Sequence, residues 1–234
     1  MRIVQFENRQ QAGKVLATRL KAYANRPDVV VLALPRGGVP VAYQVAMALN
    51  VPLDIIVVRK LGLPGQEELA MGAIASGGVC VLNQELVADL YISDQTIERV
   101  ARVEEIELKR REQRYRAGRP PLEVKGKIVI LVDDGLATGT TMLAAITALK
   151  KQEIISLVVA VPIAPYDTFH RFQPLVDQMV SVITPGAFFA LGYWYREFSQ
   201  TSDEEVCWLL EQAARRELAR RHTERVLTFG QAES

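Results

Sequence analysis

The sequence predicts an α/β fold: a mainly parallel, twisted sheet flanked by helices, with a helical insertion and a small hood. Three observations carry this. Aliphatic runs at Val29 to Leu34, Asp54 to Val58, Ile128 to Val132 and Ile155 to Val161 show almost no polar alternation. Strands buried on both faces read that way. Helical stretches, Val41 to Leu49 and Thr140 to Lys150, separate such runs, and alternation of this kind builds a parallel sheet. The length of 234 residues, with 49% hydrophobic side chains, fits one domain over 1–234 with additions. Ligands of open α/β sheets bind beyond the carboxyl ends of strands, so those ends are where chemistry is sought.

The remaining elements follow in order. Asn8 is placed to cap a first helix running to about Tyr23, with Ala12, Val15, Leu16 and Leu20 on one side. Leu69 to Ala75 and Val79 to Leu82 flank Ser76-Gly77-Gly78, a hairpin signal. Asp94 to Arg116 reads as a charged helix with Ile97, Val100, Ala101 and Leu108 on one side, within a helical insertion spanning about 84–118. Its cations (Arg99, Arg102, Lys109, Arg110, Arg111, Arg114, Arg116) are interleaved with Glu98, Glu104, Glu105, Glu107 and Glu112. That mixture describes a solvated or subunit-facing helix rather than a nucleic-acid surface. Met179 to Ile183 is a further strand. Thr201 or Ser202, with Glu204 and Glu205 three residues on, caps a last helix running to about Arg221. It belongs to a C-terminal hood and helix over about 184–222. Arg215-Arg216 and Arg220-Arg221 solvate that helix or complement its dipole.

Composition sets bounds on function. A formal charge of +1 argues neither for nor against nucleic acid. Two cysteines, Cys80 and Cys207, form no disulfide framework, so a reducing compartment is expected. Met1 to Glu7 lacks the apolar core of an export signal, and no stretch is apolar enough to span a bilayer. The expectation is a cytoplasmic protein with no membrane partner. His170 and His222 stand far apart without companion cysteines, so no zinc site is expected.

The chemistry concentrates after the strand Ile128 to Val132. Two acids, Asp133 and Asp134, precede Gly135-Leu136-Ala137-Thr138-Gly139-Thr140-Thr141 and an apolar helix. Small residues let backbone approach a ligand, and the helix start offers unpaired N–H groups with partial positive charge. With the hydroxyls of Thr138, Thr140 and Thr141 this forms a cradle for a phosphate monoester. The acids can accept hydrogen bonds from vicinal hydroxyls, or hold a metal directly or through water. Phosphate beside a diol describes a ribose 5-phosphate. Asp-Asp-Gly alone is also a common turn, and an acidic pair at a strand end also makes a magnesium site of receiver or phosphatase type. Neither alternative asks for the hydroxyl-rich loop. The Gly-Lys-Ser/Thr of a P-loop and the Gly-x-Gly-x-x-Gly of a dinucleotide fold are both missing.

Two further strand ends can meet this loop. Leu34-Pro35-Arg36-Gly37-Gly38 offers a cation and free backbone N–H groups; its bland reading is a turn with a surface arginine. Val58-Arg59-Lys60 offers two cations before Leu61 to Glu68, a Gly/Pro-rich segment suited to a mobile lid or to an ordinary loop.

Val129 to Thr141 resembles the 5-phosphoribosyl-1-pyrophosphate (PRPP) motif of type I phosphoribosyltransferases. Ile183 to Val206 and Arg119-Pro120-Pro121 resemble uncharacterised bacterial members, so the resemblance covers nearly the whole chain. It implies a type I phosphoribosyltransferase fold, Mg²⁺ as cofactor, and Asp133 and Asp134 at the ribose 2′- and 3′-hydroxyls. It implies Ala137, Thr138, Gly139, Thr140 and Thr141 at the 5-phosphate, Arg36, Gly37, Arg59 and Lys60 at the pyrophosphate, and a cis peptide between Pro35 and Arg36. It also implies a nitrogen acceptor attacking C1 of PRPP, with Asp134 or Asp133 in any catalytic role. Members acting on 6-oxopurines carry an Asp where Ala137 stands, which argues against hypoxanthine or guanine and leaves the acceptor open. The aromatics of 184–200 are candidates for a hood over that acceptor, and equally for core or homodimer contacts. Two rivals stand beside the transferase: a non-enzymatic PRPP sensor binding nucleic acid through the Arg99 to Arg119 helix, and a hydrolase of phosphorylated sugars.

Overall fold

The computed structural model describes residues 5–230, with side chains through 220 and at His222. The N-terminal stretch read above for an export signal lies partly outside them. The elements are α1 Arg9–Arg19, β1 Val29–Ala33, α2 Gly38–Leu49, β2 Leu53–Ile55, β3 Val58–Leu63, β4 Gln66–Ala75 and β5 Val79–Leu82. They continue with α3 Gln84–Asp89, α4 Asp94–Arg116, β6 Ile128–Val132, α5 Thr140–Lys150, β7 Ser156–Ile163, α6 Tyr166–Phe172, β8 Gln178–Ile183 and α7 Asp203–Gly230.

A five-stranded parallel sheet runs in the order β2-β1-β6-β7-β8. Every residue of β1 and β6 is buried, which is why both read as unbroken aliphatic runs. Two hydrophobic clusters cover the sheet, one per face: alternate residues Val29, Val31 and Ala33 join the first, and Val30 and Leu32 the second. The chain leaves β1 toward β2, then crosses to β6 on the other side. The order therefore reverses between β1 and β6, where a crevice opens in sheets of this kind. Ala33 pairs with Val132, so both strands end level there.

The helix starts follow local chemistry. Asn8 caps α1 by accepting the Gln11 N–H at 3.0 Å, as expected. Ser202, rather than Thr201, caps α7 by accepting the Glu205 N–H at 3.1 Å. Ser93 caps α4 in the same way.

Three expectations need correcting. The run Asp54 to Val58 is not one strand: β2 ends at Ile55 and a second, antiparallel sheet β3-β4-β5 begins at Val58. Leu61 to Glu68, read as an irregular segment suited to a lid or to an ordinary loop, is instead regular: it is the β3–β4 hairpin, whose strands turn at Pro64-Gly65, with Gly65 at φ +83°. Arg116, read as one cation of a solvated face, is 8% exposed. It donates to both carboxylate oxygens of Asp54, at 3.0 and 3.1 Å, and to the Ile55 carbonyl at 2.9 Å. Asp54 also accepts the Leu122 N–H at 2.9 Å. One buried ion pair thus fastens the end of β2 to the end of α4 and the segment after it.

Elsewhere α4 behaves as its mixed charge suggests. Lys109 pairs with Glu105, Arg110 and Arg111 with Glu107, and Arg114 with Asp203 and Glu204. Tyr115 is 1% exposed and donates its hydroxyl to Asp203 at 2.7 Å. Burial, then this hydrogen bond to a carboxylate, pushes its phenol up to about 12. A folded-state pKa above the unfolded value near 10 gives stability that is present below pH 10 and lost as pH rises toward about 12. The urea midpoint should therefore drop across that window, and Tyr115→Phe should flatten the drop. An unchanged pH slope in the variant contradicts the assignment.

Candidate active site

The site is built on the ends of β1 and β6. After β1 the peptide between Pro35 and Arg36 is cis, as the resemblance implies. The following glycines lie against the acids. A Cβ on Gly37 would stand 2.1 Å from an Asp134 carboxylate oxygen, and one on Gly38 would stand 2.9 Å from the Asp133 Cα. No side chain fits at either place, which is the physical reason for Gly-Gly there. The loop carrying Arg36 and Gly37 and the loop carrying Asp133 and Asp134 therefore touch, as the strand order requires.

The two acids differ in their partners. Asp133 folds back to accept its neighbour's N–H, from Asp134, at 2.8 Å. Asp134 is 8% exposed and takes the Arg9 guanidinium at 2.8 Å. Arg9 also donates to the Ser199 carbonyl at 2.6 Å and lies over the Phe198 ring at 3.9 Å. The Tyr195 hydroxyl donates to the Asp134 carbonyl at 2.5 Å, and a Cβ on Gly135 would collide with Leu191. The segment after β8 thus packs directly on the acid loop, and the start of α1 braces it from the other end of the chain.

Electrostatics follow from this crowding. Burial pushes the Asp133 carboxyl well above the usual carboxylate range, and the Asp134 charge adds to the rise. Burial also raises Asp134, with Arg9 opposing it. The Tyr195 phenol is raised by burial first and by Asp134 second. Two carboxylates in one desolvated place resist full ionisation, so the pair favours a ligand that brings positive charge or hydroxyl donors.

Gly139 caps α5 with φ +81°, a conformation glycine adopts without strain. Its carbonyl accepts the first helical bond, from the Leu143 N–H at 2.8 Å. The loop Ala137 to Thr141 therefore opens into a helix start, as its sequence predicts. A cavity of about 820 Å³ borders this loop; Lys60, Thr138, Gly139, Thr140 and Arg171 are among its walls. Asp133, Asp134 and Arg36 do not line it.

The expected cation cluster is only partly assembled. Arg59 and Lys60 are neighbours on β3, and neighbours on a strand point to opposite faces. Arg59 turns to α4 and pairs with Glu104 at 2.7 Å, while Lys60 faces the cavity beside the Ala137 to Thr141 loop. Arg36 leans to Asp203 at the start of α7, at 3.6 Å. Sequence reasoning did not single out Arg9, Tyr195 or Asp203. Arg9 is the first residue of a capped helix and carries no periodic signal; its role comes from the start of the chain meeting the acid loop 125 residues further on.

Among the described residues no group of three or more His, Cys, Asp or Glu side chains could cage a metal. A magnesium ion needs less. It keeps several waters and uses one or two carboxylates together with substrate phosphates. Asp133 and Asp134 fit that pattern, with one Asp134 oxygen already held by Arg9. No described helix is long and apolar enough to cross a membrane.

The family model described as phosphoribosyl transferase domain matches residues 2–173. Proteins from two Mycobacterium tuberculosis strains, each named "Putative phosphoribosyl transferase", are 47% identical over 210 residues, covering 90% of this chain. The chain spans about half the length of these curated relatives, 47%. The crystal structure of the protein TT1426 from Thermus thermophilus superimposes with a TM-score of 0.76 at 39% identity, covering 88% of this chain and 97% of that one.

Proposed function

Starting from a chain that belongs to the phosphoribosyl transferase domain family, we propose that it transfers phosphoribose from PRPP to a nitrogen acceptor and releases pyrophosphate. The observation that carries the reading is the Asp133–Asp134 pair set between the Gly37-Gly38 turn and the open start of α5. One end of that arrangement suits a sugar diol and the other a phosphate, at the spacing of one short loop.

The chemistry needs no covalent enzyme intermediate. An acceptor nitrogen forms its bond to C1 as the bond from C1 to the pyrophosphate oxygen breaks. Asp133 and Asp134 accept the ribose 2′- and 3′-hydroxyls and set negative charge beside a ring that turns cationic. The N–H groups and hydroxyls of Ala137 to Thr141 hold the 5-phosphate. The Gly37 backbone lies along the leaving group, and Arg36 and Lys60 supply cations at its edges; Arg36 must leave Asp203 to do so. Bound magnesium would neutralise the pyrophosphate, held by Asp133 and Asp134 directly or through water. Catalysis here is positioning and electrostatics. Arg59, paired with Glu104, serves the leaving group less directly than the motif suggests.

The aromatic segment over about 184–200 acts as the hood, since Leu191, Tyr195 and Phe198 already touch the acid loop or its Arg9 partner. We further propose one functional domain, a homodimer and a cytoplasmic setting. The partnered cations of α4 favour the enzyme over a nucleic-acid-binding regulator.

A pH dependence follows with a definite sign. Both acids sit above their usual range in the free protein, and ligand binding needs them ionised. Binding of PRPP with Mg²⁺ should release protons, and affinity should fall as pH is lowered and the raised carboxyls take up protons. Titration in two buffers of different ionisation heat reads the release. An Asp133→Asn variant that binds with undiminished release contradicts the assignment. The test of the reaction is a screen of bases and amines with PRPP, following pyrophosphate. At least one acceptor should release it; inorganic phosphate release instead points to a hydrolase, and neither product with any acceptor contradicts the transferase.

A further inference from the structure

Helix α6 touches the phosphate loop through three side chains. Thr168 donates its hydroxyl to the Ala137 carbonyl at 3.1 Å. Arg171 donates to the Thr138 carbonyl at 2.6 Å. The Phe172 ring fills the space where a Cβ of Gly139 would stand, 2.4 Å from that position. These residues lie more than thirty positions from the loop in sequence, and the motif does not include them.

The two hydrogen bonds fix more than two carbonyls. A trans peptide is planar, with its C=O and the next N–H pointing in opposite directions. Holding the Ala137 carbonyl toward α6 therefore turns the Thr138 N–H away from it. Holding the Thr138 carbonyl does the same to the Gly139 N–H. Neither N–H has a hydrogen-bond partner among the described residues. Two adjacent donors are thus aimed together, unsatisfied, beside the start of α5. A loop of small residues would otherwise sample many peptide orientations, each costing order to regain on binding.

We propose that Thr168 and Arg171 are positioning residues that aim the Thr138 and Gly139 N–H groups at the 5-phosphate. The inference rests on the PRPP reading above and deepens it. Neither side chain touches the reacting atoms; both act through the loop backbone. The expected effect is selective. A ligand carrying the 5-phosphate loses affinity when the clamp is removed, while pyrophosphate, which lacks it, does not.

The experiment titrates PRPP and pyrophosphate, each with Mg²⁺, into the wild type, Thr168→Val, Arg171→Met and Arg171→Lys. Loss of one hydrogen bond of this kind should weaken PRPP by about 3- to 10-fold in Thr168→Val and by about tenfold in Arg171→Met. Arg171→Lys should recover part of the loss, because an ammonium can still reach the Thr138 carbonyl. Arg171 is exposed and Thr168 only half-buried, so melting temperatures should stay near the wild type, and thermal scans check this. Thr168→Val also separates aim from charge, since no charge changes there. PRPP binding within twofold of wild type in both Thr168→Val and Arg171→Met overturns the inference alone. Equal losses for PRPP and pyrophosphate overturn it too, showing general loosening. A wild type that binds pyrophosphate but not PRPP overturns the PRPP reading, and the inference with it.

Discussion

Asp133→Asn together with Asp134→Asn is expected to lower PRPP affinity by about 10²- to 10⁴-fold, with a comparable loss of transfer. In the proposed complex each carboxylate accepts a ribose hydroxyl in a desolvated place, and a hydrogen bond to a charged group contributes about 1.5–3 kcal/mol. Two of them give roughly 3–6 kcal/mol, which is that range of affinity. The fold should survive. Asparagine keeps the volume beside Gly37 and Gly38, and removing two crowded, desolvated charges relieves the repulsion that pushes both acids upward. Sites that give up stability for function behave this way. Arg9 loses its charge partner but keeps the Ser199 carbonyl and the Phe198 ring. Calorimetry and a thermal melt on the same sample check both halves. A double variant with undiminished PRPP binding removes the acids from the site.

Arg116→Met carries the largest expected effect on stability. Its guanidinium serves both Asp54 oxygens, the Ile55 carbonyl and Glu112. Removing it leaves the Asp54 carboxylate buried with only the Ile55 and Leu122 N–H groups. Breaking one side of such a pair costs about 3–5 kcal/mol. For a domain of this size about 2–4 °C per kcal/mol is typical, so Tm should fall by roughly 6–20 °C. Adding Asp54→Asn should recover much of the loss, because the stranded charge is then gone. A fall of less than about 2 °C would mean that the pair does not fasten α4 to the end of β2.

Much of the fold could be read directly. The all-apolar runs became β1, β6 and β7, and Thr140 and Asp94 open helices where expected. Parallel strands buried on both faces leave no other pattern. The misread region is where burial is one-sided and irregular. In 54–68 two short strands of different sheets adjoin, and a hairpin of Gly and Pro looks like a loop when its partner strand is unknown. Short α3 and α6 gave too few turns for a periodic signal. The loop chemistry at Asp133 to Thr141 was legible because it is local: strand, acids, small residues and helix follow one another in sequence. The bracing around it was not. Arg9, Tyr195, Thr168 and Arg171 meet the loop from distant elements, and nothing in their own neighbourhoods marks them. The pair Arg59-Lys60 shows the opposite error. Adjacency in sequence suggested one cluster, but a strand sends the two cations to opposite faces.

The most direct test of PRPP use is a calorimetric titration of PRPP into the wild-type chain with and without Mg²⁺. One saturable site per chain is expected in the presence of the ion, with a large loss of affinity after chelation. Failure to bind PRPP in either condition, or binding that magnesium leaves unchanged, would contradict the proposed site.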